Sequence, residues 1–417
     1  MKNLFIINQH SRAMFYGVGT YTRQLIAAFQ SQSFRITVVT LSGDYSGLEV
    51  FEEEGVRSIH IPMPAYERYT RFFNKKEDDR FLRNVYYMLL PYIPEQGDLL
   101  FHFNFQELGT LARLLKEHFT CRITATMHYS HWSFDLLGDR KKLRTFLAQE
   151  SDDLPGKSIR DMFEMEQIFY RDIVDQVIAI ARHNYEDLLN LYGVPASKVV
   201  LIPNGLKDEY HPVSQEEKQA LRNQFYIQED EKLLLFVGRV TPVKGVRYLV
   251  RAFQELLKER GDIRLLIVGE GLEADFKEYL SLTYPFYSRI SFTGFVPKEK
   301  LTAIYSLADI GIVPSVHEEF GYVAAEMLMH GVPLIVNEIT GLKEIVQDGI
   351  NGSYFHIRKE NEEASVSELK EKINELLDNP DQRKLYKQAG RKIFRERYAL
   401  DIFYRKIQDF YLHFING

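Results

Sequence analysis

The stretch Pro314 to Val336, PSVHEEFGYVAAEMLMHGVPLIV, admits few folds. An apolar run, Ile310 to Val313, precedes it, and a second, Pro333 to Val336, closes it. The Ala-, Met- and Leu-rich segment between them has good helix propensity. Strand, loop, helix and strand make one βαβ unit, with parallel strands and the helix as crossover. Glu318 then falls in the loop at the carboxyl end of the first strand. Glu326, eight residues on, falls a turn or so inside the helix. At about 100° per residue the two would not align on one helix, but the loop can fold Glu318 back over the helix start. Gly321, between Phe320 and Tyr322, lets backbone come close there, so the helix N-terminus suits an anionic or hydroxyl-rich ligand. Two carboxylates beside it favour sugar hydroxyls over phosphate.

The rest of the carboxyl-terminal half repeats the alternation of strand and helix. Leu233 to Val237 runs into Gly238-Arg239-Val240-Thr241-Pro242-Val243-Lys244-Gly245, followed by a helix from Val246 to Arg260. Pro242 and Gly245 fix this loop, so Arg239 and Lys244 can converge at the strand end and bind a diphosphate, Arg as a fork and Lys as a point charge. A solvated loop would also carry two basic residues. Arg264 to Val268 leads to Gly269-Glu270-Gly271, and Ile290 to Thr293 leads to Gly294-Phe295-Val296-Pro297. Either is, by itself, only a turn. Glu344 reads as a helix-start carboxylate.

In the amino-terminal half, Leu4 to Asn8 is a first strand, followed by Phe15-Tyr16-Gly17-Val18-Gly19 and a helix from Tyr21 to Phe29. Strand, Gly loop and helix is the layout of a close-approach turn, although Gly17 and Gly19 alone make a weak signal. Further strands are expected at Arg35–Leu41, Val56–Ile61, Phe101–Phe103, Ile123–Met127, Asp175–Ile180 and Lys198–Ile202. His128 follows one of them, at the end of an α/β sheet where ligands bind. A structural histidine is the alternative there, and His102 reads as either a buried strand residue or part of a cleft. Residues 66–92 mix Arg, Lys and aromatics at helical spacing, which suits an amphipathic helix or a membrane-facing patch. Asp135 to Ser158 is polar and reads as a loop excursion. Pro203-Asn204-Gly205 is a strong turn signal. Asp401 to Ile415 has the apolar periodicity of a final helix.

A chain of 417 residues suits two domains. The net charge of −6 gives nucleic acid no footing as a partner. Cys121 is the single cysteine, so no internal disulfide forms, which fits a reducing, cytoplasmic compartment. The apolar run at the start is too short for a signal peptide, and no run of about 18 apolar residues spans a membrane. A peripheral membrane contact stays open. No Asp-x-Asp triplet occurs, so a metal-bridged diphosphate is not expected, nor any resident cofactor.

The ordered set Gly238-Arg239, Lys244-Gly245, Pro314-Ser315, Glu318-x-Phe320-Gly321, Glu326 and Gly331-x-Pro333 resembles the retaining glycosyltransferases of family 4, with their E-x7-E motif. The resemblance implies a GT-B fold: α/β, two Rossmann-like domains facing a central cleft, the last helix crossing back to the first domain. It implies an acceptor domain over residues 1–203, with 398–417 packed on it, and a nucleotide-sugar domain over 204–397. It implies transfer of a hexose-type sugar from a UDP- or GDP-sugar to a glycan, lipid-linked or protein-linked hydroxyl. Arg239 and Lys244 would grip the diphosphate and Glu326 the ribose. Glu318 and the amides of Phe320, Gly321 and Tyr322 would hold the sugar. Gly17, Gly19, Gly269 and Val296 would line the donor, and His128 would touch its sugar. Two departures stand out: Tyr16 replaces a family Gly, and Tyr129 replaces the Asp after the histidine. They leave room for an inactive sugar-nucleotide-binding partner of a glycosylation assembly. A phosphorylase or sucrose-type synthase would need features not evident in the sequence. A dinucleotide-binding dehydrogenase would need a third glycine, where Thr22 stands.

Overall fold

The computed structural model describes residues 2–10, 14, 17–30, 34–42, 44–63, 75–148 and 154–416. Tyr16, residues 66–74 and Asp152-Asp153 lie outside them. The chain divides into two compact units, one of Met1–Gly205 with Leu400–Gly417, the other of Leu206–Ala399.

The first unit is built on an eight-stranded sheet. Its strands are β1 (Lys2–Gln9), β2 (Phe34–Ser42), β3 (Glu49–Glu53), β4 (Val56–Pro62), β5 (Asp98–Phe103), β6 (Cys121–Met127), β7 (Gln176–Ala179) and β8 (Val199–Leu201). They lie in the order β3-β4-β2-β1-β5-β6-β7-β8, and only β3 is antiparallel to its neighbour. The helices are α1 (Gly17–Phe29), α2 (Lys75–Leu89), α3 (Gly109–His118), α4 (His131–Asp135), α5 (Arg140–Ala148), α6 (Leu154–Ile168) and α7 (Arg182–Asn190). A π-helical turn, Phe169–Ile173, extends α6. The strands are apolar runs because both faces of the sheet are covered. Along β1, Phe5 and Ile7 enter one core while Leu4 and Ile6 enter the other.

That second core contains the last helix of the chain. Its Phe403, Ile407 and Tyr411, spaced four apart, are buried with Leu4, Ile6, Tyr21, Leu25 and Phe29. Each such side chain contributes about 1.5–3 kcal/mol of burial. The polar stretch 135–158 is not a loop excursion: α5 and the start of α6 occupy most of it. The hydrogen bonds of Arg140 to Asp187, at 2.8 and 2.9 Å, tie α5 to α7.

The second unit has six parallel strands: β9 (Lys232–Val237), β10 (Ile263–Val268), β11 (Ile290–Phe292), β12 (Ile310–Val313), β13 (Leu334–Asn337) and β14 (Gly352–Phe355). Their order is β11-β10-β9-β12-β13-β14. Its helices are α8 (Gln215–Gln224), α9 (Val246–Leu257), α10 (Glu273–Thr283), α11 (Lys298–Leu307), α12 (Tyr322–Met329), α13 (Thr340–Ile345), α14 (Glu362–Asp378) and α15 (Pro380–Arg397); α16 (Leu400–Asn416) is the helix that belongs to the first unit. Ser214 and Glu217 close α8 with a reciprocal capping box. In α9, Val246, Leu249, Val250, Phe253 and Leu256 form the buried stripe expected of a helix on a sheet. Both sheets start from a central strand and grow first to one side, then to the other. The crevice where the order reverses lies between β1 and β5 in the first unit and between β9 and β12 in the second. Ligands bind at such points, outside the carboxyl ends of the strands.

Candidate functional site

In the second unit, the loops on the two sides of the reversal point are joined. Val316 N–H donates to Val243 O at 2.8 Å. Gly245 has φ +67°, and a Cβ there would lie 1.8 Å from Pro314 O. Only glycine lets the loop after β9 sit on the loop after β12. The consequence is a direct ion pair. Lys244 Nζ donates to Glu318 Oε2 at 2.5 Å, with the two side chains 22% and 17% exposed. Arg239 sits on the exposed side of the same loop.

The loops after β10 and β11 are stitched to this pair by backbone hydrogen bonds. Gly238 N–H donates to Val268 O (2.9 Å), Gly269 N–H to Gly294 O (3.0 Å) and Val240 N–H to Glu270 O (2.6 Å). Gly269 has φ +145°, and a Cβ would lie 1.8 Å from Gly238 O. Gly269 therefore borders the Arg239 loop and Gly294 pairs with Gly269, while Val296, two residues further on, is half-buried. Two large apolar side chains stay exposed beside them, Phe295 and Leu272.

Gly321 caps α12 at φ +95°, so Glu318 and the helix start are neighbours: a Cβ on Gly321 would stand 3.6 Å from Glu318 Cγ. The Phe320 ring is buried, edge-on to Tyr322 (5.0 Å) and Tyr398 (5.8 Å), so only its backbone is available to a ligand. Glu326 is the fifth residue of α12. Tyr305 O–H donates to its Oε2 at 2.8 Å, and burial raises its pKa. Tyr305 carried no signal in the sequence beyond an aromatic on α11. Glu344 is the fifth of six residues of α13, not its first. Among the described residues, no group of three or more His, Cys, Asp or Glu side chains could hold a metal.

In the first unit, α1 begins at Gly17, four residues before the expected start. Gly17 and Gly19 thus belong to its first turn rather than to a preceding loop. A Cβ on Gly19 would lie 1.8 Å from Met14 O, which is the close approach this glycine permits. His128 directly follows β6 and is buried. Its Nε2 lies 3.0 Å from Asn104 Oδ1, and Nε2 of His102 lies 3.1 Å from the same oxygen. Asn104 Nδ2 donates to Asn8 Oδ1 (2.8 Å) and Thr22 Oγ1 (3.2 Å). His102 Nδ1 meets Tyr411 O–H at 2.6 Å, so His102 is a fully buried strand residue. Neither Asn104 nor Asn8 has a signal in the sequence, because single polar residues at strand ends carry no local pattern. Tyr129 donates to Glu107 at 3.1 Å, in a cluster where His131 bridges Glu107 (2.9 Å) and Glu166 (2.7 Å).

Burial depresses both His128 and His102 to a pKa of about 3. A base with a lowered folded-state pKa supplies stability above its unfolded pKa and loses it as pH falls. Between about pH 6.5 and pH 3 the unfolded chain binds two protons that the folded chain refuses. Stability is therefore expected to fall with acidification, approaching about 1.4 kcal/mol per pH unit for each imidazole. His128→Gln removes one of the two. Urea unfolding between about pH 6 and pH 5, before most carboxylates titrate, measures this. Equal slopes in the variant and the parent would contradict the assignment.

Two family models lie end to end on the chain: Glycosyl transferase 4-like domain over residues 16–205 and Glycosyl transferases group 1 over residues 217–393. The chain belongs to the family-4 type of glycosyltransferase, and its fold is GT-B. An uncharacterised glycosyltransferase of Methanocaldococcus jannaschii is 37% identical over 183 residues, 43% of this chain and 47% of that protein. A D-inositol 3-phosphate glycosyltransferase of Thermobispora bispora is 27% identical over 341 residues, 78% of this chain and 73% of that protein. The match thus spans about half the length of the first relative and about three-quarters of the second. Among solved structures, sucrose-phosphate synthase of Thermosynechococcus elongatus superposes with a TM-score of 0.77 at 20% identity, covering 100% of both chains. HepE of Anabaena in complex with UDP superposes with a TM-score of 0.73 at 15% identity, covering 99% of this chain and 100% of that one. Among the described residues, no helix is long and apolar enough to cross a membrane.

Proposed function

We propose that this protein transfers a hexose-type sugar from a nucleotide sugar to a hydroxyl acceptor, with retention of anomeric configuration and without a metal. The observation that carries the reading is the 2.5 Å pairing of Lys244 with Glu318 at the reversal point of the second sheet. An ammonium and a carboxylate stand there where a pyrophosphate-linked sugar would present both its charge and its hydroxyls. Arg239 and Lys244 take the diphosphate, Glu326 the ribose, and Glu318 with the amides of Phe320, Gly321 and Tyr322 the sugar. The backbone around Gly269 and Val296 borders the base. UDP in the HepE complex favours a uridine donor over a guanosine one. The first unit takes the acceptor, a glycan or a lipid- or protein-linked hydroxyl, with Gly17 and Gly19 at its helix start. His128 takes a sugar hydroxyl.

In the reaction, the acceptor oxygen bonds to the anomeric carbon as the bond from that carbon to the phosphate oxygen breaks. The departing phosphate receives the acceptor's proton on the same face, which gives retention. Lys244 and Arg239 stabilise the charge that accumulates on it. The cytoplasm, where nucleotide sugars are available, is the proposed compartment, with a peripheral membrane contact if the acceptor is lipid-linked.

Proton NMR of the product formed from a UDP-sugar in excess chelator tests the reading. It expects undiminished turnover and an anomeric coupling like that of the donor. An inverted product, or activity that returns only with a divalent cation, would overturn retention or metal independence respectively.

The ion pair makes one prediction of its own. Without ligand, Glu318 competes with the diphosphate for Lys244. Glu318→Gln frees the ammonium and is expected to tighten UDP binding several-fold, the worth of one partly exposed ion pair. The same change weakens sugar contacts and slows transfer. Calorimetric titration with UDP measures it, and a weaker affinity than the parent's would count against the shared-cation arrangement.

A further inference from the structure

The first unit places five uncharged polar side chains at the carboxyl ends of three adjacent strands, where its strand order reverses. Asn8 is on β1, His102 on β5, Asn104 just after β5 and His128 just after β6, with Thr22 reaching in from α1. Asn8, His102 and Asn104 are fully buried, and Thr22 and His128 are 5% and 6% exposed. A buried polar cluster is harder to build than an apolar one of equal volume, so its geometry, rather than its contribution to stability, is its distinguishing property. The centre of the cluster is Asn104. Its amide nitrogen is spent on Asn8 and Thr22, at 2.8 and 3.2 Å, which turns its carbonyl toward the two imidazoles, at 3.1 and 3.0 Å. A carbonyl can only accept, so the ring nitrogen facing it must carry the proton.

We propose that Asn104 is the positioning residue for His128: by accepting from Nε2–H it fixes the tautomer and leaves Nδ1 as an acceptor-only nitrogen for a substrate hydroxyl. His128 then cannot offer a proton or a positive charge to a phosphate. It selects a hydroxyl donor, and it does so only while Asn104 holds it. His102, held by the same oxygen and by Tyr411 O–H, keeps the second lone pair of that carbonyl occupied, so Asn104 cannot turn without breaking both contacts. The role in turnover rests on the glycosyltransferase reading above; the tautomer does not.

The test uses the full-length protein labelled with ¹⁵N-histidine. Long-range proton–nitrogen correlation spectra read the tautomer directly, with His128→Gln and His102→Gln giving the assignments. The parent is expected to show His128 protonated at Nε2 and bare at Nδ1 across neutral pH. Asn104→Leu, similar in volume but without an acceptor, is expected to lose that preference. It should lower kcat for a nucleotide sugar about tenfold, the worth of one neutral hydrogen bond, with little change in donor KM. Thr22→Val, which removes one partner of the amide but leaves the carbonyl, should keep the tautomer. A parent protein with His128 protonated at Nδ1, or doubly protonated, overturns the proposal. So does a folded Asn104→Leu variant with an unchanged tautomer. If Asn104→Leu does not fold, the parent spectrum and that of Thr22→Val decide alone. A protein that shows the expected tautomer yet turns over no nucleotide sugar fails the functional reading instead.

Discussion

Lys244→Ala is expected to lower sugar transfer by roughly 100- to 1,000-fold, the range seen when one preorganised charged or polar group is taken from a developing oxyanion. Two losses combine in this variant. The ammonium that meets the leaving diphosphate is gone, and Glu318, only 17% exposed, keeps a carboxylate whose partner had stood at 2.5 Å. An uncompensated carboxylate then faces an incoming dianion, so nucleotide affinity falls together with turnover. The double variant Lys244→Ala, Glu318→Gln separates the two. It should recover part of the UDP affinity and none of the turnover, which is the non-additivity expected of groups in contact. Steady-state kinetics and calorimetry on the three proteins measure this. A Lys244→Ala enzyme within about threefold of the parent would remove the cation from the mechanism.

The largest effect on stability is expected at a glycine. Gly269→Ala places a methyl group 1.8 Å from Gly238 O on a backbone held at φ +145°. The methyl cannot be accommodated without separating two loops whose hydrogen bonds, Gly238 to Val268 and Gly269 to Gly294, run through the same point. The expected cost is about 4 kcal/mol or more, with a fall in Tm of about 10 °C or more. Gly261→Ala is the control, because a Cβ there meets nothing within 4 Å. It should stay within about 0.5 kcal/mol of the parent. Equal melting temperatures for the two variants would show that the loops after β9 and β10 are not locked together as described.

Much of this fold is legible in the sequence. The buried parallel strands announced themselves as apolar runs, and the loops after β9 and β12 as fixed patterns of Gly, Pro and charge. What escaped was of three kinds. β3, Glu-Val-Phe-Glu-Glu, is exposed at the sheet edge and shows no buried face, so no periodicity marked it. α5 is polar over most of its length and is positioned by the pairing of Arg140 with Asp187, a contact 47 residues apart in sequence. The Asn104 cluster is assembled from residues 8, 22, 102, 104 and 128, and nothing local to any of them foretells the others. α1 also starts earlier than the apolar pattern predicts, because Gly19 is needed inside the helix for Met14 to pass.

Only with α16 does the first unit acquire the Phe403, Ile407 and Tyr411 side chains that cover Tyr21, Leu25 and Phe29. During synthesis, the ribosome therefore finishes the whole second unit while that apolar face of the first stands open. The nascent chain must carry this surface for nearly two hundred residues, which makes it a natural stretch for a chaperone to guard. A product that stops shortly before Leu400 would be a sticky, degradable species rather than a half-working one.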